Sequence, residues 1–144
     1  MLIQLDFSAV FSQWPLLLRG VAWTIGLTIV GTVLGLLLGT ACAWARARNL
    51  GPRPAALRWA VASYVELVRN TPFIVQLFFI FFGLPALGLK LTPEVASVLA
   101  MVINLGAYSA EIIRAGIEAT PRGQVEAAAS LALTPSQTFR RVVL

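Results

Sequence analysis

Three long stretches of this chain carry no charge: residues 20–45 between Arg19 and Arg46, 70–89 between Arg69 and Lys90, and 95–110 between Glu94 and Glu111. A helix needs about 20 apolar residues, with a workable range of roughly 17–25, to cross the hydrocarbon of a bilayer. The first stretch meets that requirement outright. The second meets it by length but contains Pro72, Gly83 and Pro85. The third meets it only with Glu94 or Glu111 at headgroup level or inside a polar cavity. Charged residues are 12% of the 144, about half the share of a soluble domain, so these runs are not the scattered core of a water-soluble fold. They predict an all-α, polytopic membrane helical bundle.

Several classes drop out at once. The first run is too long for a cleavable signal peptide, and its leader carries Asp6 and no basic residue before Arg19. Cys42 is the single cysteine and histidine is absent, so neither an internal disulfide nor a zinc site of the usual ligand set is available. The net charge of +5 does not point to nucleic acid, because the basic residues are spread between apolar runs instead of along one face. The only lysine, Lys90, has no glycine-rich phosphate loop around it, so ATP hydrolysis is not expected from this chain.

Charge placement predicts orientation. Arg46, Arg48, Arg53, Arg58 and Arg69 lie between the first two runs, and Arg114, Arg122, Arg140 and Arg141 follow the third. Only Arg19 and Lys90 fall on the other side. Basic residues concentrate in cytoplasmic loops, which puts the N-terminus outside. Trp14 and Trp23 at the outer end, with Trp44 and Trp59 at the inner loop, suit interfacial anchors. Phe7, Val10, Phe11, Trp14, Leu17 and Leu18 repeat at helical spacing, as in a helix lying on a membrane surface.

The expected organisation is an outer-surface segment over 1–20, spans over 21–45, 57–88 and 93–113, a cytoplasmic loop over 118–138, and the start of a further helix over 139–144. Thr-Pro pairs at 92–93, 120–121 and 134–135 mark helix starts, because Thr caps well and Pro suits the first helical position. Thr71-Pro72 reads as a further helix start or as a kink within one long helix. Residues 46–55 form the clearest loop. Gly31, Gly35 and Gly39 share one face of the first helix, a stripe that lets two membrane helices approach closely.

Three segments could carry function. In the first, Glu66 and Arg69 stand three residues apart, ahead of Thr71, Pro72 and Gln76. They either pair beside a polar route through the membrane or are solvated on an interfacial stretch. In the second, Tyr108, Glu111 and Arg114 form a polar stripe at the inner end of the third helix, lining such a route or snorkelling to the interface. The third, from Gly123 and Gln124 through Glu126, Ala127 and Ala128 to Ala132, reads as a helix with a small-residue side in a cytoplasmic loop. It suits a partner protein's groove or is a plain surface helix.

The third segment resembles the EAA loop by which permease subunits of bacterial ABC importers dock onto their ATPase. The other two resemble the polar amino acid subfamily (histidine, glutamine and glutamate type). Its E-x-x-R-x-T-P-x-x-x-Q pattern is matched by Glu66, Arg69, Thr71, Pro72 and Gln76. Its A-Y-x-x-E-x-x-R-x-G pattern is matched by Ala107, Tyr108, Glu111, Arg114 and Gly116. One departure stands out: the glycine expected six residues after the EAA glutamate is Ala132, which a left-handed backbone there would destabilise by about 1 kcal/mol.

The resemblance implies a type I ABC importer permease fold with three of about five spanning helices present, the chain being truncated after Leu144. It implies a multi-pass protein of the bacterial inner membrane. Its partners would be a pair of ATPase subunits using ATP and Mg, a second permease subunit (the same or a sibling), and a periplasmic solute-binding protein. The substrate would be a polar amino acid, with no cofactor bound by this chain. Glu66, Arg69, Thr71, Gln76, Tyr108, Glu111 and Arg114 become candidates for the substrate route, and Gly123, Gln124, Glu126, Ala127, Ala128 and Ala132 for ATPase coupling. A non-transport membrane scaffold or sensor subunit is the alternative; a membrane-embedded enzyme would need a convergent nucleophile, base or metal set that a chain without histidine supplies poorly.

Overall fold

The computed structural model describes residues 7–46 and 54–143, which are helical apart from short turns. After a short helix α1 (Ser8–Ser12), a single helix α2 runs from Trp14 to Arg46. At 33 residues it is about 50 Å long, well beyond the ~30 Å of hydrocarbon. Of the segment expected on the outer surface, Ser8–Ser12 form α1 and residues 14–20 run on without a break into α2; residues 1–6 lie outside the described residues. Hydroxyls on α2 stay satisfied internally: Thr24, Thr28 and Thr40 each donate to the carbonyl four residues back, at 2.8–2.9 Å.

Helix α6 (Pro93–Glu118) is the second long apolar helix. Thr92 caps it, accepting from the Val95 amide at 3.4 Å, with Pro93 at the first position, as the Thr-Pro pair predicts. The glycine stripe of α2 seats directly on α6. A Cβ added to Gly31 would lie 2.9 Å from Met101 Cε, one on Gly35 2.9 Å from Leu105 Cβ, and one on Gly39 2.5 Å from Ser109 Cβ. These partners rise in number together, so α2 and α6 run parallel. Ala96, Ala100, Ala107 and Ala110 of α6 are buried completely. Small residues on both sides bring the two backbones close, which is how helices gain packing energy in lipid.

Between them, the segment expected as one span over 57–88 is broken. Helix α3 (Ala55–Arg69) and the stretch Phe73–Ala86 meet at 107°. That stretch consists of α4 (Phe73–Phe78), a π-helical turn over Phe79–Gly83, and α5 (Leu84–Ala86). Pro72 has no amide hydrogen to continue α3 and holds its predecessor out of the helical region. Gln76 lies beside Asn104, and Ile80 packs on Ala100 and Ala96, so this stretch runs antiparallel to α6. With the 107° turn, α3 lies across the bundle. Its inner face follows the spacing of an amphipathic helix: Val61, Tyr64, Val65 and Val68 pack on Cys42, Ala107 and Ala110. Its outer face exposes Arg58, Trp59, Glu66 and Leu67. Two helices are thus long and apolar enough to span a membrane, and a third span exists if the bent pair is counted as one.

Beyond α6 come α7 (Arg122–Ser130) and α8 (Pro135–Thr138), the latter continuing as a π-helical turn over Phe139–Val143. Thr134 and Gln137 form the reciprocal cap that their spacing predicts: Thr134 Oγ1 accepts from the Gln137 amide, and Gln137 Oε1 from the Thr134 amide. Helix α7 ends in a left-handed cap. The Leu133 amide donates to the Ala128 carbonyl at 3.1 Å and the Ala132 amide to the Ala129 carbonyl at 2.9 Å. Ala132 itself has φ +55°, a region glycine enters freely and alanine does not. Ala132→Gly should therefore stabilise the protein by about 1 kcal/mol, read as a higher unfolding midpoint in detergent. An unchanged or lower midpoint would show that this cap is not held in the left-handed form. Arg48 and Arg53 of the expected loop, and Leu144, lie outside the described residues.

Candidate functional site

The ends of three helices bring their charges to one carboxylate. Arg46 at the end of α2 reaches Glu111 with Nη1 3.0 Å from Oε2. Arg69 at the end of α3 comes to 4.0 Å from Oε1. Arg114, one turn along α6, pairs with Glu111 through Nη2 and Nε and with Glu118 through Nη1. The Arg69 guanidinium also stands 5.8 Å from the centroid of the Tyr108 ring, within cation–π range. The Glu111 side chain is only 21% exposed. A carboxylate that far out of water is retained when it is paired and hydrogen-bonded; Arg46 and Arg114 hydrogen-bond it, and Arg69 adds a third positive charge at 4.0 Å. With Glu118 on Arg114, two carboxylates answer three guanidiniums within the junction itself.

The i,i+3 pair that spacing allows between Glu66 and Arg69 is not the pair that forms: Arg69 turns to Glu111. Glu66 is exposed and, among the described residues, has no ion-pair partner. It lines a cavity of about 400 Å³ together with Arg46, Arg69, Asn70, Tyr108 and Glu111. That cavity therefore presents carboxylates and guanidiniums together. Arg46 belongs to this junction although its sequence position suggests only a topology signal. Nothing local marks it, because its partner is 65 residues away.

Gln76 and Thr71 both stand at the break between α3 and α4. Pro72 has no amide hydrogen to offer the Val68 carbonyl, which accepts from the Thr71 amide at 3.3 Å instead. Gln76 Nε2 donates to that carbonyl at 2.8 Å and to the Thr71 carbonyl at 2.8 Å, while Gln76 Oε1 accepts from Asn104 Nδ2 at 3.3 Å. Thr71 Oγ1 donates to the Leu67 carbonyl at 2.8 Å. One glutamine thus closes the broken helix and ties it to α6. Asn104, the one amide side chain of the third uncharged run, is the signal that sequence reading passed over. Gln76→Leu should lower stability by about 1–3 kcal/mol, the cost of unpaired half-buried polar groups. Gln76→Glu, which offers no donor to either carbonyl when ionised, should do no better, and a wild-type unfolding midpoint in both would remove this role.

Helix α7 contributes no residue to the junction among the described ion pairs. Gly123, Gln124, Glu126 and Ala127 are exposed, whereas Ala128 is 3% exposed and faces inward. Among the described residues Glu126 has no ion-pair partner; only its backbone carbonyl is engaged, accepting from Ser130 Oγ at 3.1 Å. Val125, Ala129 and Leu133 line an apolar cavity of about 1060 Å³ together with Thr40, Trp44, Ile113 and Ile117, from the C-terminal parts of α2 and α6. The helix therefore shows a small-residue, acidic face outward and an apolar face to the bundle.

Residues 31–144 match the family model of the binding-protein-dependent transport system inner membrane component. The chain is 42% identical over 133 residues to the L-cystine transport system permease protein TcyB of Bacillus subtilis, covering 92% of this chain and 55% of that protein. It is 36% identical over 143 residues to the arginine transport system permease protein ArtQ of the same organism, covering 99% and 64%. Against the glutamine transport system permease protein GlnP of Escherichia coli the figures are 35% over 144 residues, 99% and 64%. Among solved structures it superposes on a crystal structure of an amino acid ABC transporter with histidines at TM-score 0.85 and 36% identity, covering 99% of this chain and 64% of that one. An inward-facing MetNI methionine ABC transporter follows at TM-score 0.67 and 25% identity, covering 92% and 63%. The chain thus spans between 55% and 64% of the length of the three named relatives.

Proposed function

The chain belongs to the family of binding-protein-dependent transport system inner membrane components, and on that premise we propose that it forms part of the membrane pathway of an ATP-driven importer of polar amino acids. The observation that carries this reading is α7: an exposed helix with a small-residue face and a carboxylate without an ion-pair partner, sharing one apolar cavity with the C-terminal parts of α2 and α6. Its place suits a handle by which a partner moves the bundle. Hydrolysis of ATP with Mg belongs to two separate ATPase subunits. A second permease subunit completes the route, and a solute-binding protein delivers the amino acid from outside. The chain sits in the inner membrane with its N-terminus outside, so that α7 meets the cytosol.

The relatives named for L-cystine, arginine and glutamine support a substrate with a charged or polar side chain on a zwitterionic backbone. The cavity lined by Glu66 and the guanidiniums of Arg46 and Arg69 offers both signs of charge to such a solute. Tyr108, Glu111 and Arg114 brace it. ATP-driven closure of the partner pushes on α7 and shifts the bundle between two states, which must lie close in energy for a partner's binding to switch them.

The test is uptake of a panel of radiolabelled amino acids in cells with and without the gene in its genomic setting. ATP-dependent uptake of at least one polar amino acid should appear only with the gene. Identical uptake in both for every amino acid would sink the reading. A tag ahead of Met1 should be accessible from outside in intact cells, and labelling only after permeabilisation would reverse the orientation.

A further inference from the structure

We propose that the cleft between the end of α2 and the start of α3 binds the headgroup of an anionic phospholipid of the adjoining leaflet. The cleft has a volume of about 490 Å³, and Arg46, Arg58, Trp59, Arg114 and Glu118 are among the residues that line it. Its lining holds three guanidiniums against one carboxylate. Arg46 is engaged by Glu111, and Arg114 by Glu111 and Glu118. Arg58 has no acidic partner among the described residues, and its side chain is exposed at the cleft. The site therefore keeps one uncommitted guanidinium in a cleft shared with two that are already ion-paired, and a free guanidinium accepts a phosphodiester through charge-assisted hydrogen bonds.

The surroundings favour a lipid over a soluble anion. Helix α3 crosses the bundle, and its outer face is apolar between its charges: Trp59 is 75% exposed and Leu67 71%. An exposed Trp beside a basic residue is the side chain that settles at headgroup level on a membrane protein's surface. Basic pockets between membrane helices are where anionic headgroups bind. Trp59 lines the same cleft as Arg58, so one bound lipid would meet a guanidinium at its phosphate and an indole at its glycerol and upper acyl chain. This inference rests on the chain's being embedded in a membrane, not on what is transported; failure of either reading leaves the other standing.

The test uses the complete permease with its ATPase partners, purified in neutral detergent and exposed in turn to phosphatidylglycerol, phosphatidylcholine and inorganic phosphate, with retained molecules counted by native mass spectrometry. The wild type should retain phosphatidylglycerol and not phosphatidylcholine. Arg58→Gln should weaken that retention about fivefold, the value of one basic residue near an anionic membrane surface, and Arg58→Lys should recover most of it. Equal retention by wild type and Arg58→Gln overturns the proposal. So does equal retention of phosphatidylcholine, and so does inorganic phosphate that binds and displaces the lipid, which would make the cleft a soluble-anion site. A second measurement needs no change at Arg58. Phosphatidylglycerol brominated high on its acyl chains should quench a fluorescence component that is lost in Trp59→Phe, and equal quenching in both proteins refutes the assignment.

Discussion

Gly39→Leu should lower the stability of the assembled protein by about 3 kcal/mol or more, the largest stability effect expected of any single substitution discussed. Overpacking a tight interior costs about 1–3 kcal/mol when side chains can shift aside. At Gly39 they cannot. A Cβ there would lie 2.5 Å from Ser109 Cβ and 3.0 Å from both the Ala110 amide nitrogen and the Gly106 carbonyl oxygen. Two of these three atoms are backbone, so relief requires α2 and α6 to separate. Separation would also open the contact of Gly106 with Leu38, where an added Cβ would meet Leu38 Cδ2 at 2.7 Å. Gly26 provides the contrast on the same helix, since nothing lies within 4 Å of its would-be Cβ. Gly26→Ala should be neutral or slightly stabilising, because alanine is the better helix former. The measurement is the thermal unfolding midpoint in detergent, with membrane yield as a second readout. If Gly39→Leu melts with the wild type, the parallel α2–α6 pair does not pack as described.

The same pair shows which features of this fold are legible from residue order. Uncharged length identifies α2 and α6, and the glycines at four-residue intervals identify the face of α2 that meets a partner. Such signals are local, and lipid makes them strong, because a charge or an open backbone group is so costly there. Helix starts at Thr92 and Thr134 are legible for the same reason: a cap is satisfied within one turn. The bend at Pro72 is only half legible. Proline announces a break, but the angle depends on which face of α3 finds a surface. The spacing of Val61, Tyr64, Val65 and Val68, apolar against Arg58, Glu66 and Arg69, carries the sign of a helix lying across the bundle. A reading that weighs only the uncharged run after Arg69 overlooks it.

The charged junction is less legible still. Glu66 and Arg69 have the spacing to pair, yet Glu111, from a helix far along the chain, holds Arg69 together with Arg46 and Arg114. Sequence spacing ranks partners within one helix; it does not rank them against a half-buried carboxylate delivered by tertiary packing, where pairing matters more. Gln76 has the same history. It stands in a pattern suited to a substrate route, and its amide fills the hydrogen-bonding gap that Pro72 opens.

Glu126→Lys should abolish coupled uptake while leaving insertion and folding intact. The fold should tolerate the change, since the Glu126 side chain is exposed and forms no ion pair among the described residues, and lysine suits a helix as well as glutamate does. Whatever loss appears must therefore arise at a partner. If the proposed ATPase groove meets α7 with basic groups, the substitution puts like charges face to face, which costs several kcal/mol. Each 1.4 kcal/mol is about a tenfold loss of association, so binding of the ATPase should fall by roughly two orders of magnitude or more. Co-purification of ATPase with the tagged permease reads that loss directly, and radiolabelled uptake reads its consequence. A charge-reversing substitution on the ATPase side should restore both, which a merely misfolded α7 would not allow. A scaffold or sensor subunit would keep its membrane level and show no transport to lose. Full ATPase association and normal uptake in Glu126→Lys would remove α7 from the coupling path.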